Sequence, residues 1–312
     1  MLIHFWGVRG SCSVCLTPQQ IQKKISAVVQ RITAEDIKNS DTRERFIARL
    51  PKWLFGTVGG NTPCVQFVSD SGKTFILDAG TGMKVMSKES ALPKDLHYNL
   101  FFSHFHWDHI QGLPFFEPVY NPSVKFDVYS TFPAVEQILE RQMKDPYFPV
   151  PWKNISEKFT FHCVQTGVSF DVDGISVMCC KMSHPGNSYS FSFLENGKKF
   201  VYATDVELKQ DEFSDIEEKR AVFENADVLV FDAQYTIDDA SEKANWGHSA
   251  FCSVIDFALK WNVKKLYLFH HEPSYDDAKL HSILQSALWY VDFIKKEKLQ
   301  VFLATEGLTV EL

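Results

Sequence analysis

The run Phe101-Phe102-Ser103-His104-Phe105-His106-Trp107-Asp108-His109 decides how the chain is read. An apolar strand ends at Phe102, and His104, His106, Asp108 and His109 then place four potential metal ligands within six residues. In a near-extended loop His104 and His106 project to the same side, whereas Asp108 and His109 follow at a turn and face a second point. Two adjacent metal sites are the expectation. A neutral imidazole offers one ring nitrogen per metal and a carboxylate stays anionic at neutral pH, a mixture that suits zinc or a neighbouring transition ion. Burying these four side chains without a cation would be costly.

Outward from this loop, strands are expected at residues 2–5, 64–68, 75–77, 98–103, 125–129, 175–182, 189–194, 200–204, 228–231, 265–269 and 299–304, mostly bounded by Gly, Asp or Asn turns. Apolar residues recur at helical spacing over 19–50, 132–143, 249–261 and 276–297. The count fits an α/β fold of two sheets flanked by helices. No repeat, linker or low-complexity tract marks a boundary, so residues 1–312 read as a single domain, with 18–50 as a helical insertion between two early strands.

The 312 residues are 45% hydrophobic and 23% charged, which excludes disordered, collagenous and low-complexity classes. No apolar run approaches the ~20 residues of a membrane-spanning helix. Met1 to Gly7 carries neither a basic leader nor a small-residue cleavage site, so it reads as a first strand and points to the cytoplasm. Seven cysteines, two of them adjacent at Cys179-Cys180, fit reduced thiols. Cys12 and Cys15 have C-x-x-C spacing, but no second pair completes a zinc site, and they read as incidental. The net charge of −7 hides an asymmetry: nine bases face four acids up to residue 55, on an otherwise acidic body. The basic insertion could meet nucleic acid, an anionic substrate or a second subunit in a homodimer, or be a solvated, structurally packed helix.

The motif His104-Phe105-His106-Trp107-Asp108-His109 resembles the H-x-H-x-D-H loop of the metallo-β-lactamase superfamily. That resemblance implies a four-layer αβ/βα sandwich and further ligands at downstream strand ends. His184 in Met182-Ser183-His184-Pro185-Gly186, Asp205 after Val201-Tyr202-Ala203-Thr204, and His270 after Leu266-Tyr267-Leu268-Phe269 occur in the required order. Carried over, His104, His106 and His184 would hold one divalent ion, Asp108, His109 and His270 a second, and Asp205 would bridge. Zn2+ is the expected metal, with Mn2+ as the alternative. His270 is preferred to His271 because it falls where the apolar strand ends, leaving His271 a supporting place behind the ligands. Five histidines and two aspartates, with neither glutamate nor cysteine substituted among them, favour hydrolysis over oxygen chemistry.

Ile110-Gln111-Gly112-Leu113-Pro114 is similar to the continuation found in the phosphodiesterase branch, which includes the tRNA 3′-end endonuclease and cyclic-phosphate diesterases. Phe5 to Ser11, Gly59 to Thr62 and Leu77 to Gly82 are similar to a bacterial subgroup of that branch. Asp78 is thereby implied to orient a histidine ligand, the alternative being a turn residue. Asp232 and His248 match positions where the endonuclease keeps a carboxylate paired with a G-H-S-T histidine, although Ala250 stands in place of the threonine. His248 would protonate a leaving alkoxide or bind a phosphoryl oxygen, with Asp232 fixing its tautomer; a plain helix cap is the alternative.

Two cations about 3.5–4 Å apart share a water and lower its pKa, which suits in-line attack on phosphorus. The rigid, aromatic Pro146 to Trp152 stretch offers Tyr147 and Phe148 to stack a base, or serves packing alone. Arg9 and Asn61 are candidate phosphate contacts, or turn residues. The expected function is dinuclear phosphodiester hydrolysis of a small cyclic nucleotide or nucleotide diester. RNA 3′-end processing, lactone or thioester hydrolysis, and a non-catalytic scaffold are the alternatives.

Overall fold

The computed structural model describes residues 1–294 and 298–312. Its strands in chain order are β1 (Leu2–Gly7), β2 (Cys64–Val68), β3 (Thr74–Leu77), β4 (His97–Phe101), β5 (Lys125–Ser130), β6 (Phe159–Cys163), β7 (Phe170–Val172), β8 (Ile175–Met182), β9 (Ser188–Glu195), β10 (Lys198–Ala203), β11 (Val228–Asp232), β12 (Lys265–Phe269), β13 (Gln300–Leu303) and β14 (Thr309–Glu311). They form two seven-stranded mixed sheets, ordered β14-β1-β2-β3-β4-β5-β6 and β13-β12-β11-β10-β9-β8-β7. The helices are α1 (Pro18–Val29), α2 (Ser40–Ala48), α3 (Lys52–Phe55), α4 (Gly82–Glu89), α5 (Trp107–Ile110), α6 (Val135–Gln142), α7 (Glu217–Phe223), α8 (Ile237–Glu242), α9 (Phe251–Lys260) and α10 (Asp277–Phe293). Helices flank the paired sheets, the expected four-layer α/β sandwich.

Alternation along β4 shows how the layers are built. Phe101 enters the core between the sheets, whereas Tyr98 and Leu100 face the outer core beneath α4 and α6. Between the sheets Phe67 stacks on Phe75 at 4.4 Å and meets Phe193 edge-on at 4.9 Å, so aromatic rings from both sheets interlock. Val228-Leu229-Val230-Phe231 is buried on both faces, as a central parallel strand requires.

Strands β3 to β6 run parallel in one sheet and β10 to β13 in the other. The loops leaving β3, β4, β10 and β12 carry Asp78, the histidine motif, Asp205 and His270, and Asp232 closes β11.

The helical stretch expected over 19–50 is divided. Gln30 closes α1, the backbone and hydroxyl of Thr33 bond the Asp36 carboxylate, and Asn39 caps α2 through the Thr42 amide. Helices α4, α7 and α8 and strands β6, β7 and β14 are short elements without an extended periodic pattern. The C-terminal part of the helix expected over 276–297 includes residues 295–297, which lie outside the described residues.

Candidate metal centre

Seven side chains from both sheets converge at these loop ends. His104 Nε2 and His184 Nε2 each lie 3.6 Å from Asp205 Oδ1, and His184 Nε2 is 3.1 Å from His106 Nδ1. The other carboxylate oxygen serves a second group: Asp205 Oδ2 lies 3.1 Å from His109 Nε2 and 3.2 Å from His270 Nε2. Asp108 Oδ2 stands 3.2 and 3.3 Å from the same two ring nitrogens. Asp205 therefore presents one oxygen to each cluster.

Surrounding hydrogen bonds fix which ring nitrogens are bare. His109 donates from Nδ1 to Asp78 at 2.9 Å, His184 donates from Nδ1 to the Gly247 carbonyl at 2.9 Å, and His104 Nδ1 lies 3.1 Å from the Ser103 hydroxyl. That hydroxyl in turn donates to Asp78 at 2.7 Å. The Nε2 lone pairs of these three histidines therefore point inward. The buried His104 Nε2 and His109 Nε2 have no hydrogen-bond partner. Lone pairs facing carboxylate oxygens repel unless a cation stands between them, so the donor set fits two divalent ions.

The titration behaviour agrees with that electrostatic reading. Burial pulls His104 well below the ordinary imidazole range, reinforced by neighbouring His109, and burial also lowers His106 and His184. Burial pushes the Asp108 and Asp205 carboxyls upward, but His109 and His270 outweigh it and hold both well below the usual range. Burial opposes a charge on His109, yet Asp108, Asp205 and Asp78 raise it well above the ordinary value. The pocket is a strong sink for positive charge.

A profile of the beta-lactamase superfamily domain matches residues 73–271, more than half of the chain. The chain belongs to that superfamily. It is 23% identical over 270 residues to a protein named ribonuclease Z from Picrophilus torridus, covering 72% of this chain and 85% of that one. Among solved structures, a diphosphatase of the PhnP family aligns with a TM-score of 0.63 at 17% identity, covering 100% of this chain and 97% of that one. The short form of human tRNase Z aligns with a TM-score of 0.62 at 16% identity, covering 100% and 98%. At those identities the structural matches speak for the fold.

Other expected residues of this superfamily member fall into three groups. Asp78 is fully buried and accepts from His109, from the Ser103 amide and hydroxyl and from the Tyr202 hydroxyl, so it holds His109 directly and ties the histidine loop to β10 of the other sheet. Asp232 accepts from His248 Nδ1 at 2.7 Å and from the amides of Val206 and Gln234. The His248 ring stacks on His270 at 5.0 Å and lies 5.3 Å from His184. Burial alone would lower its pKa, but Asp232, together with the charges of Asp205 and Asp108, outweighs burial and raises it to about 9.

Tyr147 and Phe148 border a cleft of about 500 Å³ with Phe105, Trp107, Phe115 and Arg141. Phe105 and Trp107 alternate with His104, His106 and Asp108 along the histidine loop.

Three expectations need correction. Arg9 is buried, and its Nε and Nη1 donate to the carbonyls of Gly59, Glu272 and Tyr275 at 2.8–3.1 Å. Nε and Nη1 are filled internally and Nη2 faces the buried Asp277 at 3.9 Å, so the group is turned to the protein interior and not to a phosphate. Asn61 is likewise bound through its amide groups to Glu306. The His271 ring donates to the Ala304 carbonyl at 2.8 Å and touches no ligand; burial, aided by the charge of Arg9, takes its pKa down to about 3.

Sequence reasoning missed Ser103, Tyr202 and Glu207. Glu207 accepts from the Asn245 and Gly247 amides and so holds the loop whose carbonyl fixes His184. Gly247 has φ +93°, and a Cβ there would collide with the His184 ring.

Proposed function

We propose that the chain is a dinuclear metal-dependent hydrolase of phosphodiester bonds, acting on a small cyclic nucleotide or nucleotide diester. His104, His106 and His184 with Asp205 would hold one ion, and Asp108, His109 and His270 with Asp205 the other, with zinc the natural choice for this donor set. Two divalent ions bound there supply Lewis acidity and a water of lowered pKa. The observation that carries the phosphodiester reading is the Asp232–His248 pair beside both clusters. Asp232 accepts the Nδ1 proton and favours the imidazolium form, whose Nε2 proton would go to the departing alkoxide. Asp78, Ser103 and Gly247 keep the histidines aimed, and the aromatic cleft beside the loop takes one planar group of the substrate.

RNA 3′-end processing is the second reading, favoured by the ribonuclease Z relatives. Charge speaks for the smaller substrate: with nine bases and four acids up to residue 55, the rest of a chain of net charge −7 carries −12, a poor match for a long polyanion. The test is a ³¹P NMR time course on zinc- or manganese-loaded protein offered a 3′,5′-cyclic nucleotide together with an activated aryl phosphodiester. Nucleotide monophosphate is the expected product. Turnover of the aryl diester alone would move the assignment to RNA, and no turnover of either would favour a carboxylic ester or thioester.

A further inference from the structure

We propose that the segment Arg9-Gly10-Ser11 positions Asp108 within the metal centre, with Arg9 as the positioning residue; this rests on the two-ion reading above. The Ser11 amide donates to Asp108 Oδ2 at 2.8 Å. That oxygen is also the one facing His109 and His270, so the amide orients the carboxylate at the atom where the second cluster converges. Ser11 holds a φ of 57°, a left-handed conformation that a free serine avoids, so something must keep it there.

The structure shows what does. Val8 and Arg9 donate their amides to the Asn61 carbonyl, the Gly10 amide donates to the His271 carbonyl, and the His271 amide returns to Val8. Gly10 leaves no room for movement: a Cβ there would lie 2.5 Å from the His270 ring. The Arg9 side chain then ties this segment to two others, donating to Gly59 and to Glu272 and Tyr275 just beyond His270. Its charge faces buried Asp277 at 3.9 Å, a carboxylate that also receives the Val58 amide and Lys24 of the insertion. The guanidinium is thus a three-way clamp that aims one amide at one ligand. Its contacts reach the Asp108 and His270 side of the centre and leave the His104, His106 and His184 side alone.

The experiment is a stepwise zinc titration against a competing chelator, on wild type, Arg9→Met, Arg9→Lys and Ser11→Ala. Removing a group that supports a ligand typically costs about 10–100-fold in metal affinity. Arg9→Met is expected to weaken one of the two ions by that factor and leave the other unchanged. Arg9→Lys should restore little, because an ammonium cannot reproduce the fork, and Ser11→Ala should bind both ions normally because it keeps the amide. Equal weakening of both ions, weakening of neither, or a Ser11→Ala loss matching Arg9→Met would overturn the proposal. Should Arg9→Met fail to fold, amide hydrogen exchange of metal-free wild type decides. Protection at Ser11 supports an amide aimed before metal arrives, and rapid exchange overturns it. A wild type that binds fewer than two ions would instead remove the two-ion reading itself, visible before any variant is compared.

Discussion

At Asp78 a single buried carboxylate accepts four hydrogen bonds, one of them from a proposed ligand. Asp78→Asn keeps the shape, and asparagine tolerates the φ of 59° found there, so the substitution isolates the charge. One of the four donors would then face an amide N–H. We expect about 1–3 kcal/mol of lost stability by chemical denaturation and about 10–100-fold weaker zinc binding. Unchanged metal affinity would reduce Asp78 to a turn residue. His248 has a different signature: His248→Ala should slow an alkyl phosphodiester by about 10²–10⁴-fold while affecting an activated aryl diester much less, since only the poor leaving group needs the proton. Equal losses in kcat on the two substrates would take the general-acid role from His248. The histidine loop was legible because four candidate ligands of two residue types crowd into one short segment, and His184, Asp205 and His270 because they follow strand ends in the order that the family resemblance implies. Ser103, Tyr202, Glu207 and the Ser11 amide carry no such local mark. They work through partners 25 to 124 residues away, and a backbone N–H has no letter of its own. Arg9 misled for the related reason that a glycine-flanked arginine looks the same in sequence whether it meets phosphate or carbonyls.

At the scale of elements, the insertion is the least embedded part of the fold. No residue of α1 is buried, and Ile21, Ile25 and Val29 form an exposed row along it. Its polar tie from α1 to the body is Lys24, which reaches the buried Asp277 carboxylate and the Gly56 carbonyl, while Phe46 of α2 is buried. Lys24→Met should therefore destabilise the protein by about 1–3 kcal/mol, since Asp277 loses a charged partner but keeps the Val58 amide and Arg9. Ile25→Lys, on the exposed row, should stay within about 0.5 kcal/mol. The two denaturation midpoints give the comparison, and a larger effect at Ile25 would mean that the row is covered in solution. The basic, amphipathic character of this segment could be read from sequence, and so could its helicity. Its division could not, because a Thr33–Asp36 turn and an Asn39 cap interrupt an apolar spacing that continues on both sides. Long periodic strands such as β8 to β12 were legible for the opposite reason, and β6, β7 and β14 escaped because edge strands need little apolar alternation.

For the whole molecule, the decisive fact is that the centre spans both sheets. Asp78, His104, His106, Asp108 and His109 follow strands of one sheet, whereas His184, Asp205 and His270 leave strands of the other. Without divalent ions, the buried carboxylates are offset by protons on histidines such as His109, and two bound ions would take the place of those protons and draw both sides of the seam together. Metal that binds the folded state and not the unfolded one adds RT ln(1 + [L]/Kd), about 4 kcal/mol at a free concentration of 1,000 Kd. For a protein of this size the midpoint should rise by on the order of 10 °C over that of chelator-treated protein. Ligand nitrogens must be unprotonated to bind metal, and His109 holds its proton well above the ordinary imidazole value, so the difference should already shrink as pH falls from 7.5 to 5.5. Thermal scans of zinc-loaded and stripped protein at pH 7.5 and 5.5 measure both effects. A midpoint indifferent to chelator at pH 7.5 would mean that the sheets close without the ions and that the convergent histidines serve another purpose.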